Sequence, residues 1–418
     1  MKVLVVGKGG REHALITALH ESPGQPELLA FPGSDAIGLL ARRVSATGVD
    51  DLVEVMKRES VDLCVAGEES YLVTGAGLAN LCQAAGIPCW GPHLESAQLE
   101  ASKEFAKEFM LRHGIPTGAY SAVESIEDAR AAIGDSYPTV LKFDGLAAGK
   151  GVAVCPDESS AEAFLQEVLV QRRFGEGRLL VEEFLEGPEI SIFAAVVDGD
   201  YQILAPARDY KRLGDGDEGP NTGGMGAVSS RGMLDSSLLL RIDDEIVRPT
   251  VEGLIRDGLP YRGFLYFGIM LTSNGPRILE YNCRFGDPEA QAVMPLIQGD
   301  FLRYVHEGAK GRLDRSAISF QEGWSVCLVS ASAGYPESSR NGDVIHGLGA
   351  VQNVRVFHAG TRLNADQDYE TAGGRVLAVV GQGATLQEAV RLTYEESAKI
   401  SFDGLQRRTD VGTRGFSS

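Results

Sequence analysis

The hydrophobic pattern changes character along the chain. Residues 2–6 (KVLVV) form a continuous β-branched run that stops at Gly7, and Ala14, Leu15, Ala18 and Leu19 then recur at helical spacing. Short apolar runs follow at 27–31 (ELLAF), 61–66 (VDLCVA) and 87–90 (IPCW), separated by helical stretches near 50–59 and 71–85. Strands alternating with helices predict a parallel sheet with helices on both faces over roughly residues 1–100.

From 96 to 113 the spacing of Leu99, Phe105, Phe109 and Met110 predicts one charged amphipathic helix, stopped by Pro116. The runs then shorten. Strands are expected at 138–143, 152–155, 178–184, 189–198 and 201–206, with a helix at 158–170. Glycine turns between short strands predict an antiparallel sheet, so this part is α+β. Residues 212–232, rich in Gly, Asp and Ser, predict a long surface loop. A helix at 236–257 and strands at 263–272 and 277–283 come next. A last unit begins near 320, with strands at 324–331 and 375–381 and a helix from Leu386 that Thr385 and Glu388 open as a capping box.

Composition narrows the class. A chain of 418 residues predicts about three domains. Hydrophobic residues at 44% and charged residues at 23% allow large cores in a soluble protein. The net charge of −19 repels nucleic acid and anionic membranes. It repels phosphorylated substrates too, so any phosphate site must be locally basic or built from backbone N–H groups. No apolar run is long enough for a membrane span, and the chain goes straight into a strand and a glycine turn, so a cytoplasmic enzyme is expected. The six cysteines include no C-x-x-C pair and are expected to be free thiols, neither a metal knuckle nor a disulfide frame.

Five segments bear on the chemistry. Gly7, Gly9 and Gly10 join the first strand to the first helix, a place where an anion meets backbone N–H groups, and Arg11 adds charge. The spacing does not complete a dinucleotide fingerprint, because Glu12 stands where a third glycine is needed. In KFDGLAAGKGVAV (142–154) a Gly-rich loop lies between two strands, free to close over phosphates. Lys142 precedes it as a point charge. In RILEYNCRFGDPE (277–289), Glu280 and Asn282 share one face of a strand, and a carboxylate with an amide oxygen suits Mg²⁺. Arg284, Asp287 and Glu289 follow as a charged cluster that needs partners if buried. VEEFLEGPE (181–189) and DYKRLGDGDEGPNTGGMGA (209–227) are ambiguous alone; beside the others the second reads as a substrate loop.

Together these segments resemble the glycinamide ribonucleotide synthetase (phosphoribosylamine–glycine ligase) family of the ATP-grasp superfamily, over nearly the whole chain. The likeness rests on VLVVGKGGREHAL (3–15), GPHLESAQLEASKEFAKEFM (91–110), LKFDGLAAGKGVAV (141–154), VEEFLEG (181–187), GPNTGGMGA (219–227), RILEYNCRFGDPEAQ (277–291), AGYP (333–336), VFHAGT (356–361) and GGRVLAV (373–379). It implies a parallel α/β N-terminal domain (1–101), a two-lobe α+β ATP-grasp centre (102–312, mobile lobe about 117–190) and a small mixed C-terminal domain (320–418). It implies ATP and Mg²⁺ (or Mn²⁺), with glycine and phosphoribosylamine as the other substrates, in a monomer or homodimer.

By that resemblance, Lys103 and Lys142 contact the ATP phosphates under a loop formed by Gly145, Gly149, Lys150 and Gly151. Glu182, Glu183, Phe184 and Leu185 hold adenine, largely through backbone groups, and Glu189 takes the ribose hydroxyls. Glu280 and Asn282 bind the metal. Arg284 faces the transferred phosphate, with Asp209 and Lys211 beside it. Gly9, Gly10, Arg11, Glu12, Glu69, Gly223, Gly224, Asp287 and Glu289 serve the substrates. The chain departs from the usual family pattern at Glu68 and Tyr71 (GEESYL, 67–72), Tyr210 (RDYKR, 208–212) and Phe143, changes expected to flank the substrate side.

Overall fold

The computed structural model describes residues 1–145 and 151–413. The N-terminal unit is a parallel sheet of β1 (Lys2–Gly7), β2 (Glu27–Pro32), β3 (Arg42–Arg43), β4 (Leu63–Ala66) and β5 (Cys89–Trp90), in the order β3-β2-β1-β4-β5. Helices α1 (Gly10–His20), α2 (Val49–Glu59), α3 (Ser70–Val73) and α4 (Leu78–Ala84) cover it. Because both faces are covered, β1 is apolar at every core position rather than alternating. Val3 and Val5 enter one core, and Leu4 and Val6 the other.

Two expected helices are broken. The stretch 71–85 divides into α3 and α4 around Gly75 and Gly77, both at positive φ. The stretch 96–113 divides into α5 (Leu94–Ala101) and α6 (Lys103–Arg112). Ser102 is extended between them, and its hydroxyl accepts from the Phe105 N–H at 3.1 Å as an N-cap. The hydrophobic period runs through the break, so the pattern alone could not reveal it.

A small antiparallel lobe follows: β6 (Tyr120–Val123), α7 (Ile126–Ile133), β7 (Thr139–Phe143), β8 (Val152–Cys155), α8 (Glu158–Leu165) and β9 (Leu179–Glu183), with strand order β6-β9-β7-β8. It has its own core, from Val123, Leu141 and Phe143 to Phe164 and Leu179. The chain enters the lobe where Ile278 N donates to the Pro116 carbonyl, and leaves it where Leu271 N donates to that of Pro188.

The body of the molecule is a nine-stranded antiparallel sheet. It contains β10 (Glu189–Val197), β11 (Asp200–Ile203) and β12 (Ala207–Asp209). A hairpin of β13 (Arg212–Gly214) and β14 (Glu218–Asn221) projects from it before β15 (Gly226–Ser229) returns to the sheet. The helices α9 (Ser236–Ile242) and α10 (Arg248–Arg256) precede β16 (Arg262–Thr272) and β17 (Gly275–Asn282). After α11 (Glu289–Val293), a short pair, β18 (Ile297–Gly299) and β19 (Ile318–Phe320), flanks α12 (Phe301–Ala309). The C-terminal segment adds β20 (Trp324–Ala331), β21 (Arg355–His358), the hairpin β22 (Thr361–Leu363) and β23 (Tyr369–Thr371), β24 (Arg375–Gly383) and α13 (Leu386–Ser397). The sheet order is β17-β16-β10-β12-β15-β20-β24-β21, with β11 on the side of β10.

Residues 212–232 are therefore not a surface loop throughout. β15 is wholly buried and pairs with β12 on one side and β20 on the other. Its sequence, GAVS, is too short and too poor in β-branched residues to read as a strand. The expected strand at 201–206 ends at Ile203. Among the described residues no helix is long and apolar enough to cross a membrane.

Candidate active site

The site lies where β17, the lobe and the N-terminal unit meet. In β17, the i, i+2 spacing puts Glu280 and Asn282 on one face. Burial pushes the Glu280 carboxyl up, but Lys211, Lys142, Lys103 and Arg284 together outweigh it and hold the acid below its ordinary range. The acid is thus an ionised carboxylate ringed by cations from four separate segments. That donor set fits a hard dication shared with phosphate oxygens.

Lys142 leaves β7 and donates to the Leu279 carbonyl at 3.1 Å, spanning the gap between lobe and body. It also pairs with Glu182 Oε2 at 3.1 Å, as does Lys107 at 2.8 Å. The other oxygen of Glu182, Oε1, is buried without a hydrogen-bond partner. Such a buried acceptor is costly unless a donor arrives. The sequence expectation gave this segment a backbone role; the Glu182 side chain is equally central. Glu183 is exposed and accepts from the Ala119 N–H at 3.1 Å, Phe184 is exposed and Leu185 buried.

Lys103 opens α6 and donates to the Gly145 carbonyl at 2.9 Å. Burial lowers its pKa, with Glu280 opposing. Asp144 fixes this end of the Gly-rich loop, accepting from the N–H groups of Lys103 at 2.6 Å and Glu104 at 3.3 Å. The carbonyl of Gly151 accepts from Phe143 N at 2.7 Å. Gly149 and Lys150 lie outside the described residues.

Just after β12, Lys211 pairs with Glu189 at the start of β10, the residue expected at the ribose. Burial opposes the Lys211 charge, but Glu189 and its acidic neighbours raise its pKa well above normal. Burial, then Glu289, pushes the Asp209 acid well up, and Asp209 Oδ1 is buried without a partner. Glu289 is also raised by burial and accepts from the Ser191 hydroxyl at 2.9 Å. Gly224 holds φ +105, and a Cβ there would lie 2.4 Å from Pro288 Cδ and 2.7 Å from Asp209 Oδ1. Only glycine lets this loop lie so close to the Gly286–Asp287–Pro288 turn.

Arg284 is drawn to the N-terminal unit. Its Nε donates to Glu69 at 3.0 Å and its Nη2 reaches Glu100 at 2.7 Å. Burial pushes the Glu100 carboxyl up to about 7, whereas Arg284 and Arg11 overcome burial at Glu69 and hold it at about 2. Arg11 donates to Glu12 at 2.6 Å and to the Phe285 carbonyl at 3.3 Å. Glu12 also accepts from the Gly9 N–H at 2.7 Å, and Gly7 and Gly67 leave the room its side chain fills. Gly10 packs against Gln291, which donates to Asp287 at 2.7 Å. The glycine turn is thus already engaged by this chain's own acids.

Two departures from the family pattern prove not to flank the substrate side. Tyr210 is buried among Val228, Val326, Leu328 and Val411, and its hydroxyl accepts from Gly412 N at 2.9 Å. Phe143 packs in the lobe core against Phe174. Neighbouring strand positions face opposite ways, which turns both rings from the site. Tyr71 packs edge-on to Phe31, and Glu68 accepts from the Ser70 hydroxyl at 3.0 Å.

Sequence reasoning missed Lys107, Glu100 and Arg375. Lys107 lies one helical turn after Lys103, a detectable signal. Arg375 lies within a segment used only for resemblance (GGRVLAV, 373–379), yet it bonds the carbonyls of Gly223 and Asp287 and pairs with the Asp287 carboxylate at 3.2 Å.

The comparisons agree across the chain. Profiles of the phosphoribosylglycinamide synthetase N domain, ATP-grasp (A) domain and C domain match residues 1–100, 101–290 and 325–414. A phosphoribosylamine–glycine ligase of Caulobacter vibrioides is 44% identical, over 100% of this chain and 99% of its own length. The chain spans 32% of a trifunctional purine biosynthetic protein, adenosine-3, of Drosophila melanogaster; 99% of this chain is aligned, at 41% identity. The crystal structure of the Thermotoga maritima phosphoribosylamine–glycine ligase superposes with a TM-score of 0.84 at 33% identity, covering 98% of this chain and 100% of that one. On these matches, which run end to end, the chain belongs to the phosphoribosylamine–glycine ligase (phosphoribosylglycinamide synthetase) family.

Proposed function

We infer that this chain joins glycine to 5-phosphoribosylamine at the expense of ATP, giving glycinamide ribonucleotide, ADP and phosphate, a step of purine (IMP) biosynthesis. The observation that carries the ATP half is the convergence of Lys103, Lys142, Lys211 and Arg284 on Glu280. The identities of glycine and the amine rest on family membership.

A carboxylate resists attack by an amine because oxide is a poor leaving group. Transfer of the γ-phosphoryl group to the glycine carboxylate gives glycyl phosphate and ADP; the amine then attacks the acyl carbon and phosphate leaves. Lys103 and Lys142 neutralise the phosphates. Glu182 to Leu185 receive adenine, with the free Glu182 Oε1 facing a donor such as an exocyclic amine. Glu189 takes the ribose, which requires it to share or leave Lys211. Glu280 and Asn282 hold Mg²⁺ or Mn²⁺, which supplies charge neutralisation at the phosphates. Arg284 balances the charge that develops on the transferred group. Asp209, Lys211, Gly223, Gly224 and Glu289 form the wall nearest the acyl group. Gly9 to Glu12, Glu69 and Asp287 form the wall toward the amine. Closure of the lobe, about 117–190, excludes water from the acyl phosphate.

The test mixes the protein with Mg-ATP, glycine and freshly prepared phosphoribosylamine, following ADP, phosphate and product mass. Glycine-dependent ADP release with a product of the expected mass is the predicted result. ADP release indifferent to glycine would refute the assignment. We place the enzyme in the cytoplasm, as a monomer or homodimer working on small molecules.

A further inference from the structure

Outside the active site, three cysteines distant in sequence meet at the edge of the N-terminal sheet. Cys64 of β4 and Cys89 of β5 are register partners, so their side chains leave the same face. Cys82, in the last turn of α4, lies over that face. The three sulfurs fall within 4.8 Å of one another. Around a metal with bonds of about 2.3 Å, thiolate sulfurs stand about 4 Å apart, so little movement separates this cluster from a ligand set.

We propose that Cys64, Cys82 and Cys89 bind one thiophilic d¹⁰ dication of the zinc–cadmium class. The surroundings select for softness. The cluster is set in a core that includes Leu4, Leu72, Leu78 and Ile87, with sulfur as the available donor. A small apolar residue fills core space as well as a thiol does; packing alone does not call for three sulfurs in contact.

The charge balance also works. The cluster lies in an apolar core, which keeps the three side chains as neutral thiols when no ion is bound. A dication that displaces two thiol protons leaves two thiolates and one thiol around it. That adduct is neutral, which an apolar site tolerates. β5 is the edge strand of its sheet. Bound there, the ion would fasten α4 to β4 and β5.

The experiment titrates Cd²⁺ into the full-length protein, kept reduced by a phosphine and stripped with chelator, in excess Mg²⁺. The expected result is a saturable cadmium–thiolate charge-transfer absorption at one ion per chain, with about two protons released per ion. Cys82→Ala should weaken binding by about 100-fold or more, while Cys155→Ala leaves it unchanged. Circular dichroism and glycine-dependent ADP release check that both variants fold. Protection of Cys89 from alkylation by Cd²⁺ in the unmodified protein gives a reading that needs no variant. The proposal is overturned by no saturable band, by an equal band in Cys82→Ala, or by pairwise thiol loss to a disulfide without ion uptake.

Discussion

At the scale of single residues, the candidate site is a balance of buried acids and cations. Glu182 shows the balance most clearly, with two lysines on one oxygen and no partner on the other. Lys142→Ala removes a charged contact worth about 2 kcal/mol. We expect the KM for ATP to rise roughly 30-fold, with nucleotide affinity falling in parallel in a direct titration. Unchanged ATP kinetics would remove Lys142 from the site.

Glu69 gives a pH signature. Its acid is held at about 2 in the folded protein against an ordinary 4.5. A depressed acid contributes stability above pH 4.5 that is lost as pH falls toward 2. The contribution is at most about 3 kcal/mol. Glu69→Gln should flatten the fall of unfolding free energy across that window. Denaturant unfolding at several pH values checks this, and parallel curves for both proteins would contradict it.

At the scale of elements, the lobe hangs from the body by two crossings. Gly187 sits at the second with φ +151, and a Cβ there would lie 2.1 Å from the Leu271 carbonyl oxygen. Gly187→Ala must therefore move the exit strand. We expect a loss of about 2 kcal/mol in stability and a higher KM for ATP, because Gly187 lies in the connection from β9 to β10 that directly follows Glu182 to Leu185. Wild-type values in both would show that the crossing tolerates a side chain.

The elements were also where the sequence was most legible. β1, β10 and β16 announce themselves by apolar, β-branched runs. The breaks at Ser102 and Gly75 were hidden because a cap interrupts the backbone without interrupting the hydrophobic period. β15 was hidden because four small residues suffice when two neighbouring strands already bury them.

For the whole molecule, the sheet from β17 to β21 joins the nucleotide side to the C-terminal segment, and Arg375 reaches from that segment into the site. Arg375→Ala takes a guanidinium from two carbonyls and from the Asp287 carboxylate, which keeps only the Gln291 amide among these contacts. Breaking one side of a buried pair costs about 3 kcal/mol. We expect kcat/KM for the amine substrate to fall about 100-fold while ATP affinity holds. Equal losses for ATP and amine would mean that Arg375 supports the fold alone.

The sequence by itself determined the parallel N-terminal sheet, the antiparallel centre, the Glu280/Asn282 pair and the need for a locally basic site in an acidic protein. These follow from period, spacing and net charge, which are local or additive. Tertiary structure alone decided that Tyr210 and Phe143 face cores and not substrate. It also decided that Glu100 and Arg375 enter the site, and that the sulfurs of Cys64, Cys82 and Cys89 come within 4.8 Å of one another. Each depends on which segments pack together and which way a strand faces, and a one-residue shift in register reverses every such outcome.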